Sequence, residues 1–171
     1  MQEYKVTVGE YSPGTIRYYK PGTEELHRID GPAVEFASGT KNWFQNGMRH
    51  RVDGPAVVTA HGDKCWWQND KRHRIDGPAI ESASGTKCWY QDGKRHRIDG
   101  PAVEYANGDV EYYIHGEWLT LAQFKKKTAP VKEMTVAEIE AILGHSVKVV
   151  RLGTSMMFTI LKKNSKRKLL R

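Results

Sequence analysis

The sequence predicts a mainly β protein: a single-layer antiparallel β-meander of tandem hairpin repeats with a small C-terminal α/β appendage. Three observations predict it. Histidine recurs at His27, His50, His73 and His96, and aspartate at Asp30, Asp53, Asp76 and Asp99, always 23 residues apart. Each aspartate is followed by Gly-Pro-Ala, at Gly31, Gly54, Gly77 and Gly100, and a second glycine recurs at Gly39, Gly62, Gly85 and Gly108. Each unit then carries an aromatic pair: Trp43-Phe44, Trp66-Trp67, Trp89-Tyr90 or Tyr112-Tyr113. Turn residues at fixed offsets within a fixed period are the signature of stacked supersecondary units, each packed on its neighbour.

The elements follow in order. Residues 4–8 alternate like a strand, and Gly14 precedes Tyr18-Tyr19 as Gly39 precedes Trp43-Phe44, so a partial copy stands before the full ones. In each full copy Pro-Ala-Val or Pro-Ala-Ile opens one strand, where a missing N–H is harmless, and the aromatic pair carries the next. The glycine before the proline suits a turn with positive φ. The strands are joined at Ser38-Gly39, His61-Gly62, Ser84-Gly85 and Asn107-Gly108. Asn-Gly favours a two-residue type I′ turn; Ser-Gly fits it less well and leaves open a type I turn with a bulge glycine.

With a two-residue turn, Val34 faces Trp43 and Phe36 faces Lys41. Val34, Trp43 and Phe36 then share one face, and Ala33, Glu35, Asn42 and Phe44 the other. The same register puts Glu104 opposite Glu111, which is mildly unfavourable. It also pools Val34, Trp43, Val57, Trp66, Ile80, Trp89, Val103 and Tyr112 on one side. About ten strands would carry this face over about 45 Å, a larger apolar patch than soluble monomers expose. A homodimer or a partner is the expected cover.

The period stops after Ile114-His115-Gly116. Residues 120–124 read as a short helix. Residues 134–143 read as a better one, with a Thr135/Glu138 capping box, an apolar stripe of Val136, Ile139, Ile142 and Leu143, and Gly144 just past the end. Residues 146–150 alternate as a strand, and residues 162–171 form a basic tail, expected to be mobile. The expected division is residues 1–118 for the repeats, 119–153 for the appendage and 154–171 for the tail.

Charge is segregated. Of 27 Lys and Arg and 20 Asp and Glu, residues 125–171 hold 12 basic and three acidic, leaving the first 124 residues at −2 within a net of +7. Any case for nucleic acid therefore rests on the C-terminal quarter. No run of 18 apolar residues is present, so no membrane partner is expected, and residues 1–11 lack the pattern of a secretory signal. The expected compartment is the cytoplasm, that of the host if the source is viral.

The recurring histidines invite a metal or catalytic reading. Equivalent residues two strands apart stand about 9.6 Å from each other, whereas zinc ligands lie about 2 Å from the ion, so one shared ion is out of reach. No nucleophile recurs beside the His/Asp pair. No catalytic, metal or cofactor-binding residues are therefore expected, and the His, Arg and Asp are read as loop hydrogen-bond partners. Cys65 and Cys88, one period apart, are too distant for a disulfide and are read as free thiols of a reducing compartment.

Trp43, Trp66, Trp89 and Tyr112 are read as packing residues. Phe44, Trp67, Tyr90 and Tyr113 form a more open stripe; with Arg51, Arg74 and Arg97 they are the candidate protein-binding residues. The same rings suit base stacking. The candidate nucleic-acid contacts are Lys125, Lys126, Lys127, Lys162, Lys163, Lys166, Arg167, Lys168 and Arg171, with a solubilising tail as the other reading.

The unit resembles MORN repeats, which also run 23 residues and form single-layer sheets of hairpins. Asn46-Gly47-Met48-Arg49-His50 is similar to that family's N-G-x-x-H, and Asp92-Gly93-Lys94-Arg95-His96 nearly so. The chain departs from it at Arg28, Arg51, Arg74 and Arg97, where the family has glycine, and in a His50-to-Gly62 spacing two residues longer. The H-R-x-D-G-P-A form resembles repeats in uncharacterised proteins of tailed phages and large DNA viruses, and residues 135–150 look like a C-terminal module of such phage proteins. The resemblance spans roughly residues 14–150. It implies a scaffold or interaction role without catalytic residues and does not name a partner; a host or viral protein is the expected partner, and no cofactor is expected.

Overall fold

The computed structural model describes residues 4–8, 13–130, 134–144, 147–152 and 155–160, the last two stretches by backbone alone. As the repeat predicts, the protein is mainly β, with eleven strands in one antiparallel meander. It runs from Lys5–Val8 and Ile16–Tyr19 at one edge to Val110–Ile114 and Glu117–Leu119 at the other. Between them each unit supplies one hairpin: Val34–Glu35 with Lys41–Asn42, Val57–Val58 with Lys64–Cys65, and Ile80–Glu81 with Lys87–Cys88. Val103–Glu104 pairs with the start of Val110–Ile114 in the same way.

The turn is one residue longer than the two-residue reading, and the register shifts with it. The Phe36 N–H donates to the Thr40 carbonyl and the Gly39 N–H to the Phe36 carbonyl, so Ala37, Ser38 and Gly39 close the hairpin. Gly39 has φ +92°, and Gly62, Gly85 and Gly108 have φ +95°, +98° and +92°. All four turns are therefore of the bulge-glycine kind, Asn107-Gly108 included. Val34 pairs with Asn42 and Glu35 with Lys41, and a one-residue slip sends each side chain to the other face.

The expected pooling of valine and tryptophan is thus corrected. One row across the sheet reads Val34, Asn42, Val57, Cys65, Ile80, Cys88, Val103, Glu111. The next row, on the opposite face, reads Glu35, Lys41, Val58, Lys64, Glu81, Lys87, Glu104, Val110. It brings opposite charges face to face, and Glu104 meets Lys87 rather than Glu111. The tryptophans share this second face with the alanines. Trp43, Trp66 and Trp89 donate backbone N–H bonds to Ala56, Ala79 and Ala102, and Ala33, Ala56, Ala79 and Ala102 are 0% exposed. The face expected to need a cover, valine together with tryptophan, is therefore not formed: the valine row lies on the face opposite the tryptophans.

Each unit makes a second hairpin that the sequence reading lacked. Phe44–Gln45 pairs with Met48–Arg49, Trp67–Gln68 with Lys71–Arg72, and Tyr90–Gln91 with Lys94–Arg95. Asn46 and Gly47 have φ +49° and +77°, and Asp92 and Gly93 +49° and +81°, the two left-handed residues that a type I′ turn requires. These hairpins bond to one another: Arg51 N–H donates to the Trp67 carbonyl and Asp70 N–H to the Arg49 carbonyl, with Arg74 to Tyr90 and Gly93 to Arg72 in the next unit. A second ladder therefore runs beside the main sheet, and each strand crosses into it at its tryptophan.

Both ends of the meander are closed. At the C-terminal edge Leu119 stands where other units have histidine and is buried. Thr120 caps the helix α1, Leu121–Thr128, through a capping box with Gln123, so this helix is longer than the expected 120–124. At the other edge the Tyr4 ring meets Tyr18 edge-on at 6.1 Å, and its hydroxyl accepts from Ile29 N–H. The chain divides into Met1–Ala129 and Pro130–Arg171. In the second unit α2, Val136–Leu143, has the expected Thr135/Glu138 capping box and ends at Gly144 with φ +67°. Val147–Leu152 pairs antiparallel with Ser155–Ile160; the second of these strands was not expected. No helix among the described residues is long and apolar enough to cross a membrane.

Candidate functional site

The H-R-x-D-G-P loops build one repeated structure. In each, the arginine Nε donates to the aspartate two residues on, as Arg74 to Asp76 at 3.0 Å, and Nη1 donates to the carbonyl of the following proline, Pro78, at 3.2 Å. Arg28, Arg74 and Arg97 also reach Glu35, Glu81 and Glu104 at 2.8–3.2 Å. Val58 stands where that glutamate would pair with Arg51. The guanidinium lies over the aromatic ring of the main sheet: Arg28 on Tyr18, Arg51 on Trp43, Arg74 on Trp66 and Arg97 on Trp89, at 4.0–4.3 Å from the ring centres. At the last unit Phe124 takes the arginine's place over Tyr112, 4.8 Å away.

The loop glycines serve this packing. Gly31, Gly54, Gly77 and Gly100 do not have the positive φ expected of them. A Cβ at any of them would stand 2.8–3.0 Å from the arginine Cζ, so a side chain is excluded by the guanidinium folded against the backbone. The arginine bond holds the carboxyls of Asp30, Asp53, Asp76 and Asp99 below the usual carboxylate range.

Each histidine joins its loop to the next unit. Nδ1 of His27, His50, His73 and His96 accepts from the backbone N–H of Asn46, Asn69, Asp92 and His115 at 3.0–3.3 Å. Each of those donors has φ near +50°. At His27 and His96 this leaves the proton of the neutral ring on Nε2. At His50 and His73 Nδ1 also lies 2.8 and 3.1 Å from Asn69 Oδ1 and Asp92 Oδ1, so the tautomer there follows which of the two contacts is made. Burial, and His115 stacked 4.2 Å away, lower the His96 pKa.

Successive loops enclose three equivalent clefts, with volumes of about 490, 610 and 700 Å³. Their linings repeat with the 23-residue period: a tryptophan (Trp43, Trp66, Trp89), a glutamine (Gln45, Gln68, Gln91), a histidine (His50, His73, His96) and the loops on either side. On the loop crests Val52, Ile75 and Ile98 are 77%, 80% and 63% exposed. The aspartates are exposed and the arginines covered, as with Asp76 at 83% and Arg74 at 21%. The surface that a ligand would meet is thus apolar and anionic.

Of the sequence-selected residues, Arg51, Arg74 and Arg97 line the clefts. Phe44, Trp67, Tyr90 and Tyr113 lie on the other face, in a ladder with Arg49, Arg72 and Arg95. Arg49 lies over Phe44 and Trp67, Arg72 over Trp67 and Tyr90, and Arg95 over Tyr113, at 5.0–5.5 Å. Arg95 also donates to the Tyr90 and Tyr113 hydroxyls and to Glu111. Phe44 is buried and the other rings half-buried. These arginines escaped the sequence reading, although each stands immediately before a repeated histidine. Cys65 and Cys88 lie within the field of Arg72; both are free, and burial pushes both thiols up.

Lys125, Lys126 and Lys127 fall in the last turn of α1, where Lys127 donates to Glu117 at 2.6 Å. Lys162, Lys163, Lys166, Arg167, Lys168 and Arg171 lie outside the described residues. Among the described residues no group of three His, Cys, Asp or Glu is placed to hold a metal ion. In comparisons with known proteins, the chain matches no family model, no curated protein and no solved structure.

Proposed function

We propose that this protein is a non-catalytic scaffold, a MORN-like repeat protein that binds another protein through its cleft face. The observation that carries the reading is the array of three like clefts, open and edged by exposed Val52, Ile75 and Ile98. Exposed branched apolar side chains at a fixed interval add nothing to the fold and suit a partner surface. The histidines beside them are engaged through Nδ1 in joining units, which supports a structural part for them. The resemblance to phage repeats makes a host protein the first partner to seek, in the cytoplasm. The test is affinity capture from candidate host cells with the native protein and with a Val52→Ser, Ile75→Ser, Ile98→Ser variant. A partner lost from the variant supports the reading; equal recovery by both proteins refutes it.

Charge segregation supports a second reading, nucleic-acid binding through the C-terminal quarter. On α1, Lys125 and Lys126 make no ion pair among the described residues. Phosphate contacts give a steep fall of affinity with salt, whereas an apolar cleft does not, so a salt titration separates the two readings.

A further inference from the structure

We infer that the clefts are built for an extended basic peptide in the polyproline II conformation, one residue in three entering a cleft. This deepens the proposed protein-binding role and rests on the clefts being the binding face. The first ground is period. Neighbouring clefts are one unit apart, which is two strands or about 9.6 Å. Three residues of polyproline II advance about 9.3 Å and return the side chain to the same side, so three clefts are matched with a drift of well under 1 Å. A β-strand fails because residues i and i+3 point to opposite faces. An α-helix presents the same face after seven residues, about 10.5 Å on, and loses register faster.

The second ground is hydrogen bonding. A polyproline II chain has no internal backbone bonds and leaves its carbonyls free. Each cleft offers donors for them. The amides of Gln45, Gln68 and Gln91 line it, and their side chains have no hydrogen-bond partner among the described residues. In the cleft of His96 the ring has Nδ1 used as an acceptor and keeps Nε2–H as a further donor. Nδ1 of His50 and His73 faces a side-chain oxygen as well as a backbone N–H, so in those two clefts the glutamine amide is the donor on which the argument rests. A helix or a paired strand has no free carbonyls to offer.

The third ground is charge and surface. The tryptophan gives each cleft an aromatic wall of the kind on which proline rings pack, and Ile75 and its equivalents continue that surface over the crests. The exposed charges along the crests are the carboxylates of Asp53, Asp76 and Asp99, while their arginines are covered. The complementary chain therefore carries Lys or Arg at the same interval, with proline or other apolar residues between.

The test uses the full chain and fluorescein-labelled peptides with four charged side chains each, followed by anisotropy at physiological salt. The probe is (Pro-Pro-Lys)4; the controls are (Pro-Pro-Pro-Lys)4, whose lysines stand about 12.4 Å apart, (Pro-Pro-Glu)4, and a helix-forming Ala/Lys peptide with lysine at every seventh position. The probe is expected to bind at least tenfold more tightly than every control. The Val52→Ser, Ile75→Ser, Ile98→Ser variant, altered only at exposed side chains, is expected to lose at least tenfold, and so is Gln68→Ala with Gln91→Ala. Equal binding of both lysine spacings, or preference for the helical peptide, overturns the inference. If the helical peptide still weakens with the serine variant, the cleft face stands as the binding surface and only its occupant is wrong. Binding of every peptide unchanged by either variant overturns both, and no binding by the probe overturns the inference.

Discussion

Replacing Gly77 by alanine separates two reasons for a glycine at the same place. Its φ is not left-handed, so alanine meets no backbone penalty and should gain about 0.4–1 kcal/mol by restricting the unfolded chain. Its Cβ, however, would stand 2.9 Å from Arg74 Cζ. A guanidinium can swing away, so the cost is what Arg74 leaves behind. That is its stacking on Trp66, about 0.5–2 kcal/mol, and its bonds to Asp76, Pro78 and Glu81, about 0.5–1.5 kcal/mol each at most. The exposed Asp76 bond sits at the bottom of that range. A net loss of about 2 kcal/mol is expected for Gly77→Ala, read by urea unfolding followed by tryptophan fluorescence. In an Arg74→Ala background nothing is left to displace, and the same substitution should be neutral or slightly stabilising. An equal loss in both backgrounds would refute the steric reasoning and return the glycine to a backbone role.

Other consequences follow from particular residues. Val58→Glu supplies the carboxylate that Arg51 lacks and places it between Lys41 and Lys64; unfolding should show a gain of about 0.5–1 kcal/mol, and a loss would mean that this site is occupied otherwise. His96 has a folded pKa below its ordinary value, so between the two the unfolded chain binds more protons. Stability should then fall as pH drops through about 6.5, and His115→Asn should raise the His96 pKa in an NMR titration; an unmoved value would contradict the part played by the second ring. Cys65→Ser with Cys88→Ser should leave no disulfide to lose, and in the native protein both thiols should react only slowly with Ellman's reagent, as raised thiols do; rapid reaction of either would contradict its burial.

The period was legible because every unit must present the same surface to its neighbours, which leaves His, Asp, Gly-Pro-Ala and the aromatic pair in plain view. The α2 cap was legible as well, since Thr135, Glu138 and Gly144 act locally. What the sequence hid turned on single residues. Ser38-Gly39 is compatible with a two- or a three-residue loop, and that one residue decides whether Trp43 lies with Val34 or with Ala33. The second hairpin was signalled by Asn46-Gly47 and Asp92-Gly93, but Asn107-Gly108 drew the type I′ reading to the wrong turn. The Arg49, Arg72 and Arg95 ladder and the clefts depend on side chains from adjacent units, a relation that no single copy displays. The role of Gly77 was hidden for the same reason: the atom that excludes a side chain there belongs to Arg74.

The binding face is tested most directly by photo-crosslinking, with benzoylphenylalanine placed singly at positions 52, 75 and 98 and, for comparison, at the exposed positions 5 and 105 on the opposite face of the sheet. With the captured partner, crosslinks are expected from 52, 75 and 98 and not from 5 or 105. Crosslinks from 5 or 105, with none from the three cleft crests, would contradict a partner held in the clefts.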